Sequence, residues 1–188
     1  MAKIYIKIAI LLAITGLHPL LIASLSPYND LNIVVDISEQ RLYLLDDQLI
    51  LYSYPISSSK YGEGSTENSF KTPLGMHEIK RKIGDDAKLN SIFVARTNTN
   101  KLAEIIKINI DTEDDHVTSR ILWLDGKEEG INRGKGIDSF QRYIYIHGTH
   151  EEGLIGKKAS HGCIRMFNND VVSLYEYVKE GTKVYIRA

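Results

Sequence analysis

The chain has 188 residues, of which 43% are hydrophobic and 25% are charged, a composition typical of one globular domain. A formal net charge of −1 provides no basic field to attract nucleic acid, so we expect no nucleic-acid partner. The single cysteine, Cys163, excludes an internal disulfide.

Residues 1–26 have the pattern of an export signal. Two lysines precede a long apolar run, and small residues at Ser24 and Ser26 form a cleavage pattern. An uncleaved membrane anchor is the alternative, but His18 and Pro19 interrupt the run. We predict a cleaved signal peptide, one domain over 27–188, and a location in the periplasm or cell envelope. Only an uncleaved N-terminal segment would contact the membrane.

The rest of the chain is dominated by short β-branched and aromatic runs separated by polar turns, which predict a mainly β domain. The predicted strands, in chain order, are NIVVDI, RLYLL, LILYSYPIS, MHEIKRK, SIFVART, RILWLDG, RYIYIHGT and KVYIR. The Gly- and Ser-rich segment SSKYGEGSTENSFKTPLG predicts a long surface loop, and loops of that length are often functional. The segment 102–110 is ambiguous: its start has helical character, whereas the alternation in IIKINI favours a strand.

One segment, NNDVVSLYEYVKEG, predicts an α-helix near the C-terminus. Asn168, Asn169 and Asp170 are candidates for its N-terminal cap, and Gly181 is a candidate for the residue that follows its end. Apolar side chains at helical spacing are expected to dock on the sheet; they are Val171, Leu174, Tyr175 and Val178.

The segment RYIYIHGT has two chemically different faces. Strand alternation groups Ile144 with Ile146, and groups Tyr143, Tyr145 and His147 on the opposite side. Because the isoleucines belong in the core, we expect His147 on the face that carries the tyrosines.

The segment SHGCIRMF has the same organisation, with His161, Cys163 and Arg165 on one side if it is a strand. A thiol is mostly protonated at neutral pH, but an adjacent imidazole can accept its proton, and we expect Arg165 to favour the thiolate further. Gly162 allows close approach of a substrate, and the N–H groups of 162–164 are suited to hold an oxyanion.

Three simpler interpretations remain for these residues. Cys163 could be a small buried hydrophobe, and His147 a structural histidine at a strand end. His147, His150, His161 and Cys163 also form a possible zinc ligand set. An HxxH pair at the end of a strand directs its two imidazoles apart, so we predict no metal and no cofactor.

The segment YIHGTHEEGLIGKKASHGCIRM resembles the catalytic signature of the L,D-transpeptidase family, the YkuD-like catalytic domain. The segments SEQRLYLL, YPISSSKYGEG, FKTPLGMHEI and RILWLDG also resemble that domain in the expected order, so the resemblance covers about residues 31–187. It implies a mainly β fold, a mixed β-sandwich with one C-terminal α-helix and few other short helices. It also implies cysteine acyl transfer on peptidoglycan stem peptides, without a cofactor.

The resemblance assigns a role to each residue of the motif. Cys163 is implied to attack the carbonyl of the diamino acid at stem position three, which releases the terminal D-alanine and leaves a thioester. His147 is implied to move the proton, with its ring oriented by the carbonyl of Gly148. The N–H groups of Gly162 and Cys163 are implied to hold the oxyanion.

The implied substrate-binding residues are Ser160, His161, Arg165 and Tyr145, and Arg165 is expected to hold a substrate carboxylate. From the residues alone, His161 remains an alternative base. Side chains at i and i+2 of a strand lie too far apart for a close hydrogen bond, so we expect His147 to be the base.

The acyl acceptor is left open by the sequence. A second stem peptide or another protein would make the enzyme an acyltransferase, whereas water would make it an L,D-carboxypeptidase. A wall-binding module without catalysis is a third possibility, which the presence of both Cys163 and His147 disfavours. The role of residues 80–118 is left open by the sequence; we interpret the stretch 90–120 as a hairpin cover over the cleft, with the loop at 60–68 on the other side.

Overall fold

The computed structural model describes residues 30–188, so the predicted signal peptide lies outside the described residues. Within 30–188, no helix is long and apolar enough to cross a membrane. The elements of this range, in chain order, are β1 (Leu31–Asp36), β2 (Arg41–Asp46), β3 (Leu49–Ser57), β4 (Gly75–Ile83), β5 (Ser91–Val94), β6 (Thr97–Leu102), β7 (Val117–Gly126), β8 (Tyr145–Thr149), a 3-10 turn (Glu152–Leu154), β9 (Ile164–Met166), α1 (Asn168–Tyr177) and β10 (Lys183–Arg187).

The strands form one mixed sheet that closes on itself. Their order is β4-β10-β1-β2-β3-β9-β8-β7-β5-β6, and β4 also pairs with β7. The pairs β1–β10 and β8–β9 are parallel, whereas β7 runs antiparallel to both β4 and β8. This architecture confirms the predicted mainly β fold with one C-terminal α-helix.

The closed strands and one face of α1 share a single apolar core. Its members include Ile33, Val35, Leu42, Leu44, Ile56, Ile79, Leu122, Leu124, Ile164, Met166, Val171, Leu174, Val184 and Ile186. Each large side chain of this kind stabilises the fold by about 1.5–3 kcal/mol when fully buried. Ile144 and Ile146 belong to this core, as the alternation of RYIYIHGT predicts. Tyr145, on the opposite face, belongs to a second, smaller apolar cluster with Cys163 at its edge.

The predicted helix is present, but both of its ends differ from the prediction. Its N-cap residue is Phe167, because the side chain of Asn168 is used elsewhere: Nδ2 donates to the carbonyl of Thr149 at 2.7 Å. The helix ends with Val178 as its C-cap, and Gly181 lies beyond it with a φ of +87°. The prediction that Gly181 directly follows the helix was therefore wrong.

Segment 103–116 has no regular structure, so the strand favoured for IIKINI was wrong. The segment is held against the end of β8 by isolated hydrogen bonds rather than by a ladder. The N–H of Ile106 donates to the carbonyl of His150, and the N–H of Gly153 donates to the carbonyl of Ile106, both within 3 Å.

The predicted strand SIFVART is divided by a tight turn. β5 ends at Val94, and the next two residues, Ala95 and Arg96, have φ angles of +47° and +68°. Two consecutive positive φ angles characterise the two-residue turn that reverses a β-hairpin. The resulting β5–β6 hairpin pairs with β7 through β5.

Candidate active site

Cys163 lies directly before β9, on the face of the sheet opposite the main core. In the parallel pairing of β8 with β9, His147 is opposite Arg165. Tyr145 and Cys163 each lie two residues before this pair. The N–H of Tyr145 donates a hydrogen bond to the sulfur of Cys163 at 3.4 Å. His147 is therefore a diagonal neighbour of Cys163 on the same face of the sheet. At this spacing, the imidazole ring of His147 can reach the sulfur.

The residues before Cys163 form a bend, so the predicted strand SHGCIRMF begins only at Ile164. Gly162 has a φ of +120°, which side chains rarely tolerate, and Thr72 Oγ1 donates to its carbonyl at 3.0 Å. Ser160 Oγ donates to the carbonyl of Cys163 at 2.6 Å and accepts from the N–H of Gly162 at 3.3 Å. These bonds fix the backbone donors beside the thiol.

The imidazole of His147 is buried and has one nitrogen fixed. Nδ1 lies 2.7 Å from the carbonyl of Gly148, so Nδ1 carries the proton in the neutral ring, and Nε2 presents a lone pair. Close packing requires a glycine next to it, because a Cβ on Gly148 would lie 2.6 Å from Asn168 Oδ1. Burial lowers the pKa of His147 to about 4, against the raising influence of Asp115 and the Gly148 carbonyl.

The thiol of Cys163 is uncharged at rest. Its sulfur donates to the carbonyl of Tyr143 at 3.4 Å, and within residues 30–188 no hydrogen bond joins it to His147. Burial raises the pKa of Cys163 to about 12, and Arg165 offsets this only in part. Arg165 favours the thiolate, as expected, but desolvation outweighs its charge.

Arg165 is a buried ion-pair centre rather than a substrate ligand. Its side chain is 1% exposed; Nη1 lies 2.9 Å from Glu151 and Nη2 lies 2.7 Å from Asp115. Burial by itself would raise the pKa of Asp115, but the Arg165 charge and hydrogen bonds lower it to about 2. Glu151 also accepts hydrogen bonds from the N–H and hydroxyl of Thr112. The prediction that Arg165 holds a substrate carboxylate does not fit this geometry, because two protein carboxylates already occupy it.

His161 forms one wall of the site. Its Nδ1 lies 2.9 Å from Asp115 Oδ2, and its ring contacts those of Tyr61 and Phe70 with centroids about 6 Å apart. Asp115 thus fixes the ring of His161. In His147, by contrast, the hydrogen bond within residues 30–188 is made by Nδ1, which leaves Nε2 available.

The four residues of the possible zinc set are turned to different partners. The ring of His150 packs at a tilt against that of His116, with centroids 4.6 Å apart, whereas His147 and His161 bond to the Gly148 carbonyl and to Asp115. Across residues 30–188, no group of three or more potential ligands is arranged to hold a metal ion.

The β5–β6 hairpin brings Arg96 to the face that carries Cys163. Arg96 Nη1 donates to the hydroxyl of Tyr145 at 3.2 Å. Its guanidinium also lies over the rings of Trp123 and Tyr143, 4.9 and 4.7 Å from their centroids. These contacts, which the sequence alone did not identify, bring the hairpin next to Tyr143 and Tyr145; a cover over the cleft stays a prediction.

A cleft of about 260 Å³ opens between the long loop after β3 and the segment before β8. Its lining residues are Glu67, Asn68, Phe70, Gln141, Arg142, Tyr143, Ile144 and His161. The cleft adjoins the bend at Gly162, since a Cβ there would lie about 3.5 Å from the carbonyl of Phe70 and from Ile144. The bend at Gly162 thus lies next to a space that a peptide can enter.

Comparison with known proteins identifies related sequences. A family model described as L,D-transpeptidase catalytic domain (YkuD) matches residues 31–186. "Putative L,D-transpeptidase YqjB" of Bacillus subtilis is 48% identical over 52 residues, which are 28% of this chain and 28% of that protein. "Probable L,D-transpeptidase YbiS" of Escherichia coli is 46% identical over 43 residues, which are 23% of this chain and 14% of that protein. The matched segments thus span less than a third of each relative's length.

Solved structures share the fold at low sequence identity. L,D-transpeptidase 3 from Mycobacterium tuberculosis, in complex with a faropenem-derived adduct, has a TM-score of 0.52 and 16% identity over 84% of this chain and 60% of its own. The L,D-transpeptidase from Mycobacterium smegmatis has a TM-score of 0.50 and 19% identity over 85% of this chain and 59% of its own. At this identity, the likeness shows the fold alone.

Proposed function

The chain belongs to the family of L,D-transpeptidase catalytic domains, and we propose that it transfers acyl groups between peptidoglycan stem peptides through Cys163. One observation carries the proposal: the imidazole of His147 in β8 and the thiol of Cys163, directly before the adjacent parallel strand β9, lie on the same face of the sheet. The Nδ1 of His147 is fixed by the Gly148 carbonyl, so Nε2 is left to act on the thiol. We place this activity in the cell envelope.

The first half-reaction acylates the enzyme. The sulfur attacks the carbonyl of the third residue of a tetrapeptide stem, and His147 takes the thiol proton as the C–S bond forms. The N–H of Cys163 donates a hydrogen bond to the oxyanion. The N–H of Gly162 becomes a second donor once it gives up its hydrogen bond to Ser160 Oγ. Collapse breaks the C–N bond, His147 gives the proton to the leaving nitrogen, and D-alanine departs from the thioester.

The second half-reaction returns the free thiol. An acceptor amine attacks the thioester carbon, the C–S bond breaks, and the proton passes from the amine to the sulfur through His147. The product is an amide bond between two stems, or between a stem and a protein. Water in place of the amine gives a tripeptide, which is the L,D-carboxypeptidase alternative.

Substrate binding has to bring the proton donor and acceptor together. At rest, the thiol bonds to the Tyr143 carbonyl, and the pKa values of about 12 for Cys163 and about 4 for His147 hold both groups uncharged. The thiol therefore has to turn from that carbonyl to His147 in step with attack. General-base catalysis is the mechanism that fits a neutral pair.

The test is product analysis with a donor tetrapeptide and a second stem as acceptor. We expect a cross-linked dimer and one D-alanine for each dimer, with neither product from the Cys163→Ala variant. His147→Gln should slow the reaction by at least about a hundredfold, the usual contribution of a general base. Tripeptide without dimer would identify the hydrolase, and the absence of D-alanine release by the wild type would refute acyl transfer.

A further inference from the structure

Arg142 lies at the mouth of the cleft, next to the group that holds the thiol. It directly precedes Tyr143, whose carbonyl accepts the hydrogen bond from Cys163. Its side chain lines the cleft together with Phe70 and His161. A substrate residue entering this cleft would therefore contact the guanidinium and Tyr143, the residue whose carbonyl holds the thiol.

The guanidinium of Arg142 is held in place by main-chain carbonyls. Nη2 donates to the carbonyl of Lys71 at 2.7 Å, and Nη1 donates to that of Gly64 at 3.3 Å. The Lys71 carbonyl itself packs against the bend, 3.4 Å from the position of a Cβ on Gly162. Arg142 is thus fixed relative to the thiol through the loop and the bend.

Its positive charge is only weakly compensated. An arginine has five N–H donors, and the two bonds to carbonyls leave donors for a ligand. Within residues 30–188, Arg142 forms no ion pair, whereas Arg165 is paired with two carboxylates. Burial lowers the pKa of Arg142; a Cys163 thiolate and the Glu67 carboxylate would raise it, but the thiol is uncharged at rest. A partly desolvated guanidinium of this kind gains from binding an anion.

We propose that Arg142 binds the α-carboxylate of the residue that leaves the donor stem, an assignment that rests on the proposed function. The leaving D-alanine carries the carboxylate closest to the bond that breaks, separated from the attacked carbonyl by one residue. A guanidinium beside the nucleophile can form two parallel N–H···O bonds with that group. Arg142 thereby selects a stem that ends one residue after the attacked carbonyl.

The experiment compares two donors that differ only at this carboxylate: a tetrapeptide stem with a free C-terminus and the same stem with a C-terminal carboxamide. Release of the fourth residue is measured as kcat/KM for each donor. The wild type should favour the free acid by about tenfold to a hundredfold, the range expected for a hydrogen-bonded charge pair. Arg142→Gln should lower kcat/KM for the free acid to that for the carboxamide. Its kcat/KM for the carboxamide should stay within about twofold of the wild-type value.

Two further variants complete the design. Arg142→Lys keeps the charge without the planar fork and should retain a reduced preference for the free acid. Arg133→Gln removes a guanidinium whose partner is the exposed Glu129, and it should behave as the wild type. Equal losses on both donors in Arg142→Gln, or an unchanged preference for the free acid, would overturn the assignment. Failure of the proposed function looks different, because the wild type would then release the fourth residue from neither donor.

Discussion

At the scale of single residues, Cys163 combines a nucleophilic position with an uncharged resting state. The burial that raises its pKa to about 12 also lowers that of His147 to about 4, so neither group is ionised near neutral pH. We therefore expect slow alkylation and oxidation of Cys163 in the absence of substrate, because both reactions require the thiolate.

Alkylation kinetics test the resting state. Iodoacetamide at pH 7.5 should modify Cys163 at least about tenfold more slowly than glutathione, because the thiolate fraction is far smaller. The rate should rise steadily up to pH 9, and His147→Gln should leave it nearly unchanged. A rate that levels off below pH 7, and that falls in His147→Gln, would instead indicate a thiolate–imidazolium pair.

Arg165 supports the site by joining β9 to two other segments. Arg165→Met leaves the carboxylate of Glu151 buried without its partner, which should lower the free energy of unfolding by about 3–5 kcal/mol. Arg81→Met removes an exposed ion pair with Glu180 and should cost less than about 1 kcal/mol. Urea denaturation measures both variants. A loss below about 1 kcal/mol in Arg165→Met would show that the buried pair does not hold the site together.

The placement of the proposed catalytic pair on one face could be predicted from the sequence, but its surroundings could not. Cys163 and His147 lie within one compact motif, whereas Asp115 reaches Arg165 from fifty residues away and Arg142 is defined by carbonyls of the loop. An acidic run such as TEDD has no local feature that separates a buried carboxylate from a solvated one. Only the closed sheet brings these side chains together.

At the scale of elements, α1 is attached to the sheet through the side chain at its first position. Asn168 donates to the carbonyl of Thr149 and accepts hydrogen bonds from the hydroxyls of Thr118 and Ser119, both at 2.6 Å. Ser119 has a φ of +62° and lies where the β7–β8 register shifts. Asn168 thus links the helix to the irregular part of β7 and to the end of β8.

Truncation of this amide tests the attachment. Asn168→Ala leaves several buried polar groups without partners and should lower the free energy of unfolding by about 2–3 kcal/mol. The adjacent, exposed Asn169 is a matched control, and Asn169→Ala should change it by less than about 0.5 kcal/mol. Thermal or urea unfolding measures the difference. Equal effects of the two substitutions would show that the buried amide is not an anchor.

Regular elements follow from local patterns, and the irregular ones do not. The alternation of RYIYIHGT determines which face of β8 is buried, and this is visible in the sequence. The turn at Ala95 and Arg96 lacks the usual Asn-Gly signal, so SIFVART has the appearance of one strand. The bend before Cys163 depends on Thr72 and Ser160, whose contacts with it are decided by the loop and not by alternation.

At the scale of the whole molecule, buried histidines make the stability of the fold depend on pH. His77 is fully buried, with Nδ1 3.0 Å from the carbonyl of Gly75 and Nε2 2.9 Å from Ser139 Oγ. Burial lowers the pKa of His77 to about 4, as it does for His147, from an ordinary value of 6.5. The unfolded chain therefore binds these two protons at a higher pH than the folded protein does.

The sign of the effect follows from this difference. The contribution of these two histidines to the free energy of unfolding is fully present above pH 6.5. It is lost as the pH falls from 6.5 towards 4, by up to about 3 kcal/mol for each histidine. The urea concentration at the midpoint of denaturation should decrease as the pH is lowered from 7 to 4.5. His77→Gln should make this decrease smaller. A midpoint that does not change over this range would show that neither histidine is held neutral by the fold.

The central claim is that Cys163 carries the acyl group, and the intact mass of the protein after mixing with a tetrapeptide donor, without an acceptor, tests it most directly. We predict a mass increase equal to the donor minus D-alanine, located on the peptide that contains Cys163 and absent from Cys163→Ala. An adduct on another residue, or release of D-alanine by Cys163→Ala at the wild-type rate, would contradict the claim.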